Sequence, residues 1–279
     1  MKLTVKIFSV LLNALFIVSL SSFISCEEVI DINVENPEQK IVIDAAITDT
    51  PNEGRVLLSK TENVFIPGGS TKVLRAEVFL SDNNGNSEQL VESQQGRFVS
   101  SSIQKVWGRT YTLKVKYDGV EYSGTSKLNE PMKIDTVKFE KTTSNTIWGI
   151  LYSNYKMKIY ITNKPGVNEY CIIKIKDSQG KKVMSTILYQ DKYSDGKQTI
   201  IENNKAQFQK GETVNVEIMT VDKSAYEYFY ELNQLSDEVG LDLPEIINSK
   251  TYNPKSNISN GALGCFYAYS SKKYSVTVK

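Results

Sequence analysis

The sequence predicts a mainly β fold, an N-terminal β-sandwich followed by a second antiparallel β-rich domain carrying one α-helix. Three observations predict it. Apolar and polar residues alternate along many short segments: Tyr111, Leu113, Val115 and Tyr117 against Thr112, Lys114 and Lys116, then Met157, Ile159 and Ile161 against Lys156, Lys158 and Thr162, then Val214, Val216 and Ile218. A period of two marks half-buried antiparallel strands, whereas parallel sheets covered on both faces give continuous apolar runs. Next, Asn84-Gly85, Asp118-Gly119, Gln179-Gly180 and Asp195-Gly196 lie between such segments, where tight hairpins need the positive φ that glycine supplies. Finally, a single stretch keeps a clear helical spacing.

Residues 1–25 have the layout of a lipoprotein signal peptide. Lys2 and Lys6 precede a run from Ile7 to Leu20 that is apolar apart from Ser9, Asn13 and Ser19. That run is shorter than the ~20 residues a bilayer-spanning helix needs. Phe23-Ile24-Ser25-Cys26 then resembles a bacterial lipobox, with phenylalanine where leucine is usual. The resemblance implies cleavage before Cys26 and diacylglyceryl and acyl lipid on its thiol and amine. Each buried methylene contributes ~0.8 kcal/mol, so two or three chains anchor a protein that has no membrane segment. Glu27 and Glu28 resemble the export signal that sends such lipoproteins to the outer face of the outer membrane. Residues 26–39 form the lipidated tether.

Between residues 40 and 128, strands are expected near 40–47, 55–61, 73–81, 88–93, 97–100, 110–117 and 120–126. Seven short strands at this density suggest a sandwich of immunoglobulin or transthyretin type. Residues 76–117 in particular look like the prealbumin-like modules found beside carboxypeptidases and transporters. Residues 129–279 form the second β-rich domain, with strands near 134–141, 156–163, 169–176, 182–190, 198–202 and 213–221. Its helix is placed near 224–239. Ser224 with Glu227 reads as a capping box, Ala225, Phe229, Leu232, Leu235 and Val239 form the apolar stripe, and Gly240 ends it. The aromatic run of that helix is read as packing on a sheet in preference to forming a ligand platform. An irregular stretch over 241–260 precedes a closing hairpin in which Tyr274, Val276 and Val278 alternate.

Composition narrows the function. With 40% apolar and 23% charged residues among 279, the chain has the makings of a core. The 33 basic and 32 acidic side chains nearly cancel, which removes the electrostatic footprint of a nucleic-acid binder. Loss of residues 1–25 would take away two lysines and no acid, leaving a formal charge of −1. Histidine is absent, which excludes Ser-His-Asp and Cys-His catalysis and histidine zinc sites. No catalytic residue and no metal ligand set stands out. The segment Asp82 to Asn86 faintly suggests a calcium loop, but its glycine comes too early and Ser93 occupies the twelfth position. No cofactor is expected beyond the lipid on Cys26.

Four residues remain as candidates. Trp107 and Trp148, each followed by glycine, could offer exposed plates for a ligand or partner. Cys171 and Cys265 fall in phase with the apolar faces of their strands; they read either as two buried thiols or, in an oxidising envelope, as a disulfide.

Taken together, these landmarks resemble the Bacteroidetes outer-membrane lipoproteins classed as domain of unknown function 4249. The likeness runs from Cys26-Glu27-Glu28 through KIVIDAAITD, with Thr48-Asp49 at its end, then VLRAEVFLSDNNG, GRFVSS, GRTYTLKVKYDGVEYSG and Pro131 with Ile134-Asp135. It continues through Asp222, Tyr226 and Tyr228 and closes on Asn253-Pro254, Ser256-Asn257-Ile258, Gly261, Gly264 and Phe266, where Tyr267 replaces a frequent glycine. The resemblance implies a lipid-anchored, surface-facing outer-membrane protein working with a TonB-dependent transporter in nutrient uptake, and it carries over no catalytic residue. A non-enzymatic accessory or binding protein is therefore expected. The alternatives are a carboxylate-dependent surface hydrolase of glycans or peptides, and a structural envelope or adhesion module.

Overall fold

The computed structural model describes residues 39–51, 53–61, 71–145, 151–192, 196–237 and 252–279. All lie within one compact unit, Glu38–Lys279. The first half contributes β1 (Ile41–Thr48), β2 (Arg55–Lys60), β3 (Glu77–Asp82), β4 (Ser87–Gln89), β5 (Val91–Gln94), β6 (Arg97–Val99), β7 (Thr110–Tyr117) and β8 (Val120–Lys127). The second contributes β9 (Ile134–Asn145), β10 (Leu151–Thr162), β11 (Tyr170–Lys176), β12 (Val183–Gln190), β13 (Gln198–Glu202), β14 (Thr213–Val221), helix α1 (Lys223–Asp237) and β15 (Leu263–Thr277). The mainly β prediction holds.

Eight strands form one large sheet in the order β12-β11-β14-β15-β1-β2-β6-β5, and two smaller sheets, β4-β3-β7-β8 and β13-β10-β9, accompany it. The spine is β15. Its first half pairs in parallel with β1, from Val42 opposite Leu263 to Thr48 opposite Tyr269, and its second half pairs antiparallel with β14. The closing hairpin expected from the alternation of Tyr274, Val276 and Val278 is thus a single fifteen-residue strand. In its first half, β15 is buried on both faces, because Phe266 and Ala268 join one hydrophobic cluster while Cys265, Tyr267 and Tyr269 join another. A strand covered on both sides loses the alternation that marks the half-exposed strands.

One face of the large sheet carries two cores. Ile43, Ile47, Leu58 and Phe266 pack with Val78, Leu80, Tyr111 and Leu113 of the four-stranded sheet. Ile173, Ile175, Val216 and Ile218 pack with Met157, Ile159 and Ile161 of the three-stranded sheet. The opposite face receives α1, whose Ala225, Tyr226, Tyr228 and Phe229 meet Ile172, Met219, Val221, Tyr267 and Tyr269. Phe229 stands edge-on to Tyr267 at 5.0 Å between centroids, so the aromatic run of the helix is largely core. Leu232, expected on the buried stripe, is exposed. Gly240 and Val239 lie outside the described residues, as does Asp195 of the fourth predicted turn.

Local chemistry explains the elements. In the β7–β8 hairpin Asp118 and Gly119 have φ of 50° and 76°, the left-handed pair a two-residue primed turn requires. In the β3–β4 turn, Asp82 accepts bonds from the N–H groups of Asn84 and Asn86, from Asn86 Nδ2 and from Arg109. Its carboxylate is consumed in fixing a polar hairpin, so the calcium-like string is a turn. Helix α1 is capped by Asp222, whose Oδ1 takes the Ala225 N–H at 2.9 Å and the Ser224 hydroxyl at 2.8 Å, and not by the expected Ser224. Glu227 pairs with Lys223 one turn back.

A second carboxylate organises the loop before β7. Glu88 on β4 accepts the N–H groups of Ser101, Ser102 and Ile103 and the hydroxyls of Ser100 and Ser101. Burial works against its charge, but these donors, Ile103 and Ser101 foremost, outweigh it and hold the carboxyl at about 2. Because the folded value is depressed, this stabilisation is complete above the ordinary value of 4.5 and is lost as pH falls toward about 2. Glu88→Gln is expected to lower unfolding stability at neutral pH by about 2 kcal/mol and to flatten acid unfolding in that window, as read by urea titrations at several pH values.

Candidate functional site

The site is built around the turn that leads into β7. Tyr111, fully buried, accepts the Val106 N–H at 2.7 Å and donates to the Gln104 carbonyl at 2.8 Å. Gly108, at φ 85°, donates to the Leu128 carbonyl at 2.7 Å, and Leu128 N–H returns a bond to Arg109. The turn is therefore tied to the core below and to the end of β8 beside it. At its tip Trp107 is 48% exposed, yet its indole Nε1 donates to Asp49 Oδ2 at 2.7 Å. Asp49 Oδ1 in turn accepts the Thr48 hydroxyl and the Ser271 N–H. A half-exposed indole held at its nitrogen presents a fixed apolar plate.

Trp107 lines a cleft of about 400 Å³ with Gly108, Lys127, Asn129, Glu130, Lys164, Val167, Asn168, Glu169, Tyr170 and Thr220. Its walls come from the exit of β8, the β10–β11 loop and the start of β11, and its size falls in the range of small-ligand sites. Asn129 Nδ2 donates to the Val221 carbonyl, and Thr220 Oγ1 accepts the Met132 N–H. Lys164 Nζ bonds Glu130 at 2.8 Å while its backbone N–H bonds Glu169 at 2.9 Å. The two carboxyls sit in opposed environments. The Lys164 ammonium holds Glu130 below the usual carboxylate range, whereas burial pushes Glu169 up, helped by the charges of Asp191 and Glu130.

Tyr170 links the cleft to the helix. Its ring lies 5.3 Å from that of Tyr226, which stacks at 6.2 Å and 24° on the exposed Tyr230.

Of the residues singled out in the sequence, Trp107 is in this cleft. Cys26, Glu27, Glu28 and Trp148 lie outside the described residues. Cys171 and Cys265 are both free and buried, and they belong to clusters on opposite faces of the large sheet. Burial pushes both thiols well above the ordinary range, which makes them inert. The remaining cleft residues escaped sequence reasoning, because Lys164, Glu169 and Glu130 look like any loop charges until the fold gathers them. Pro165-Gly166 and Pro131 were the available signals that loops of defined shape stand there. No described helix is long and apolar enough to cross a membrane.

Sheets packed as sandwiches, with a ligand-sized recess where their ends meet, define a mainly β protein whose identity must come from sequence likeness. The chain belongs to the family described as Domain of unknown function (DUF4249), which matches residues 27–275. A search of curated proteins found no match. The strings that carry the family likeness prove to be mostly scaffold. Asn257 pairs its amide with the backbone of Phe266, accepting its N–H at 2.9 Å and donating to its carbonyl at 2.7 Å. Gly264 lets β15 approach β1, Phe266 fills the first core, and Asp222 caps α1. Asp49, Gly108 and Tyr226 are the exceptions, since Gly108 lines the cleft and the other two each contact one of its aromatic rings.

Proposed function

We propose that this chain is a lipid-anchored, non-enzymatic outer-membrane binding protein, held by acylated Cys26, exported by the Glu27-Glu28 signal to the cell surface, and partnered with a TonB-dependent transporter. The observation that carries the binding role is Trp107, a half-exposed indole fixed by Asp49 at the mouth of a cleft of about 400 Å³. The anchor and the partner rest on the lipobox and on the family resemblance. Sub-cellular fractionation tests the anchor. Wild-type chain is expected in membranes and Cys26→Ala in the soluble fraction; retention of that variant at high salt would overturn lipid anchoring.

One observation favours a hydrolase instead: Glu130 and Glu169 share the cleft and are shifted in opposite directions, the pattern of an acid paired with a base. Binding is preferred because Lys164 holds both carboxyls in structural bonds, Glu130 through its ammonium and Glu169 through its backbone N–H. Glycan cleavage by the wild type that disappears in both Glu130→Gln and Glu169→Gln would reverse that preference.

A further inference from the structure

The cleft offers an unusual combination of groups. Trp107 has its only polar atom engaged by Asp49, so it presents an apolar face and no donor. Around it stand side-chain amides, Asn129 and Asn168, one ammonium, Lys127, and the Glu130–Lys164–Glu169 set. Each candidate ligand class can be weighed against that inventory. A purely apolar ligand needs an enclosed greasy pocket, and this recess is rimmed by charge and amide. A phosphate-bearing ligand would find two carboxylates against two ammoniums, with no net positive charge to hold it. An extended peptide is bound through an open strand edge, and the cleft is walled by loops and strand ends. A pyranose ring matches: its C–H face lies on an aromatic plate while its equatorial hydroxyls find amide and carboxylate partners.

Aromatic contacts also lead from the cleft to an exposed ring on the helix. From Tyr170 the rings of Tyr226 and Tyr230 follow at 5.3 and 6.2 Å, and Tyr230 is 48% exposed on α1. A single sugar would use only the Trp107 plate; a chain of sugars leaving the cleft past Tyr170 can also reach Tyr230, two ring contacts away. We infer that the Trp107 cleft together with the exposed ring of Tyr230 binds an oligosaccharide of pyranose units. The inference rests on the reading of the cleft as the ligand site and adds the ligand's chemical class and its extent.

Calorimetric titration of the full lipoprotein in detergent tests it. The probes are cellohexaose, maltohexaose, laminarihexaose and chitohexaose, their disaccharides, and hexaalanine. At least one hexasaccharide is expected to bind, with its disaccharide weaker. Trp107→Ala should weaken the hexasaccharide by about tenfold or more, and Tyr230→Ala by about threefold, the latter leaving the disaccharide unchanged. Trp107→Phe, which keeps an apolar ring but loses the bond to Asp49 that fixes it, should fall between wild type and Trp107→Ala, and unchanged thermal unfolding of all three variants shows that the fold is intact. Failure of every saccharide to bind overturns the inference. Binding of hexaalanine alone, lost in Trp107→Ala, overturns the saccharide class and leaves the cleft standing as a ligand site. Saccharide binding that Trp107→Ala leaves unchanged overturns both.

Discussion

Gly264→Ala should abolish accumulation of folded protein, or cost more than about 4 kcal/mol where a folded fraction survives. A β-carbon on Gly264 would stand 2.2 Å from the Ile43 carbonyl oxygen and 2.8 Å from its carbon, and the residue has φ of 92°. Neither contact can be relieved by rotating a side chain, because both partners are backbone. The strands must separate, and the seven-residue parallel register of β1 on β15 is lost with them. Gly261 gives the control: it has φ of 72° but nothing within 4 Å of an added β-carbon, so Gly261→Ala should cost only about 1 kcal/mol of local strain. Chemical denaturation of both variants separates steric exclusion from simple conformational preference. Equal effects would show that the close approach of β15 to β1 is not what requires glycine.

Asp222→Ala should cost about 3–4 kcal/mol. One carboxylate oxygen caps α1 through Ala225 and Ser224; the other accepts the Ser126 hydroxyl at 2.5 Å and the Lys127 N–H at 2.9 Å. Ser126 Oγ then accepts the Ala268 N–H at 2.8 Å, so a single side chain links the helix, the edge of β8 and the spine strand. Asp222→Asn keeps the capping oxygen while replacing an acceptor by a donor at Ser126 and Lys127, and it should recover about half of the loss. An alanine variant within about 1 kcal/mol of wild type would mean that Asp222 is only a helix cap.

Much of this architecture could be read from period and turn chemistry. The segment 110–117 is legible to the residue because Tyr111, Leu113 and Val115 alternate with Thr112, Lys114 and Lys116, and the structure buries the first set and exposes the two lysines. The Asp118-Gly119 turn was equally legible, since only left-handed φ values suit it. What escaped has one physical cause, that side chains act on distant backbone. Alternation says which face of β15 is apolar, not that the strand changes partner from β1 to β14 along its length. The spacing of Ser224 to Glu227 reads as a capping box, and only the folded chain, with contacts from β8 almost a hundred residues earlier, gives the role to Asp222. The cleft was the least legible feature. Trp107 could be nominated from its exposed-looking turn, but Asp49, which pins it, stands 58 residues away, and Glu130, Lys164 and Glu169 meet only in the folded chain.

Affinity capture of the tagged full-length chain from gently solubilised outer membranes tests the central claim of a binding protein most directly. The expected result is co-purification of a TonB-dependent transporter, a retained glycan, or both. Repeated capture of the lipoprotein alone, with neither partner nor ligand under conditions that keep known transporter complexes together, would contradict it.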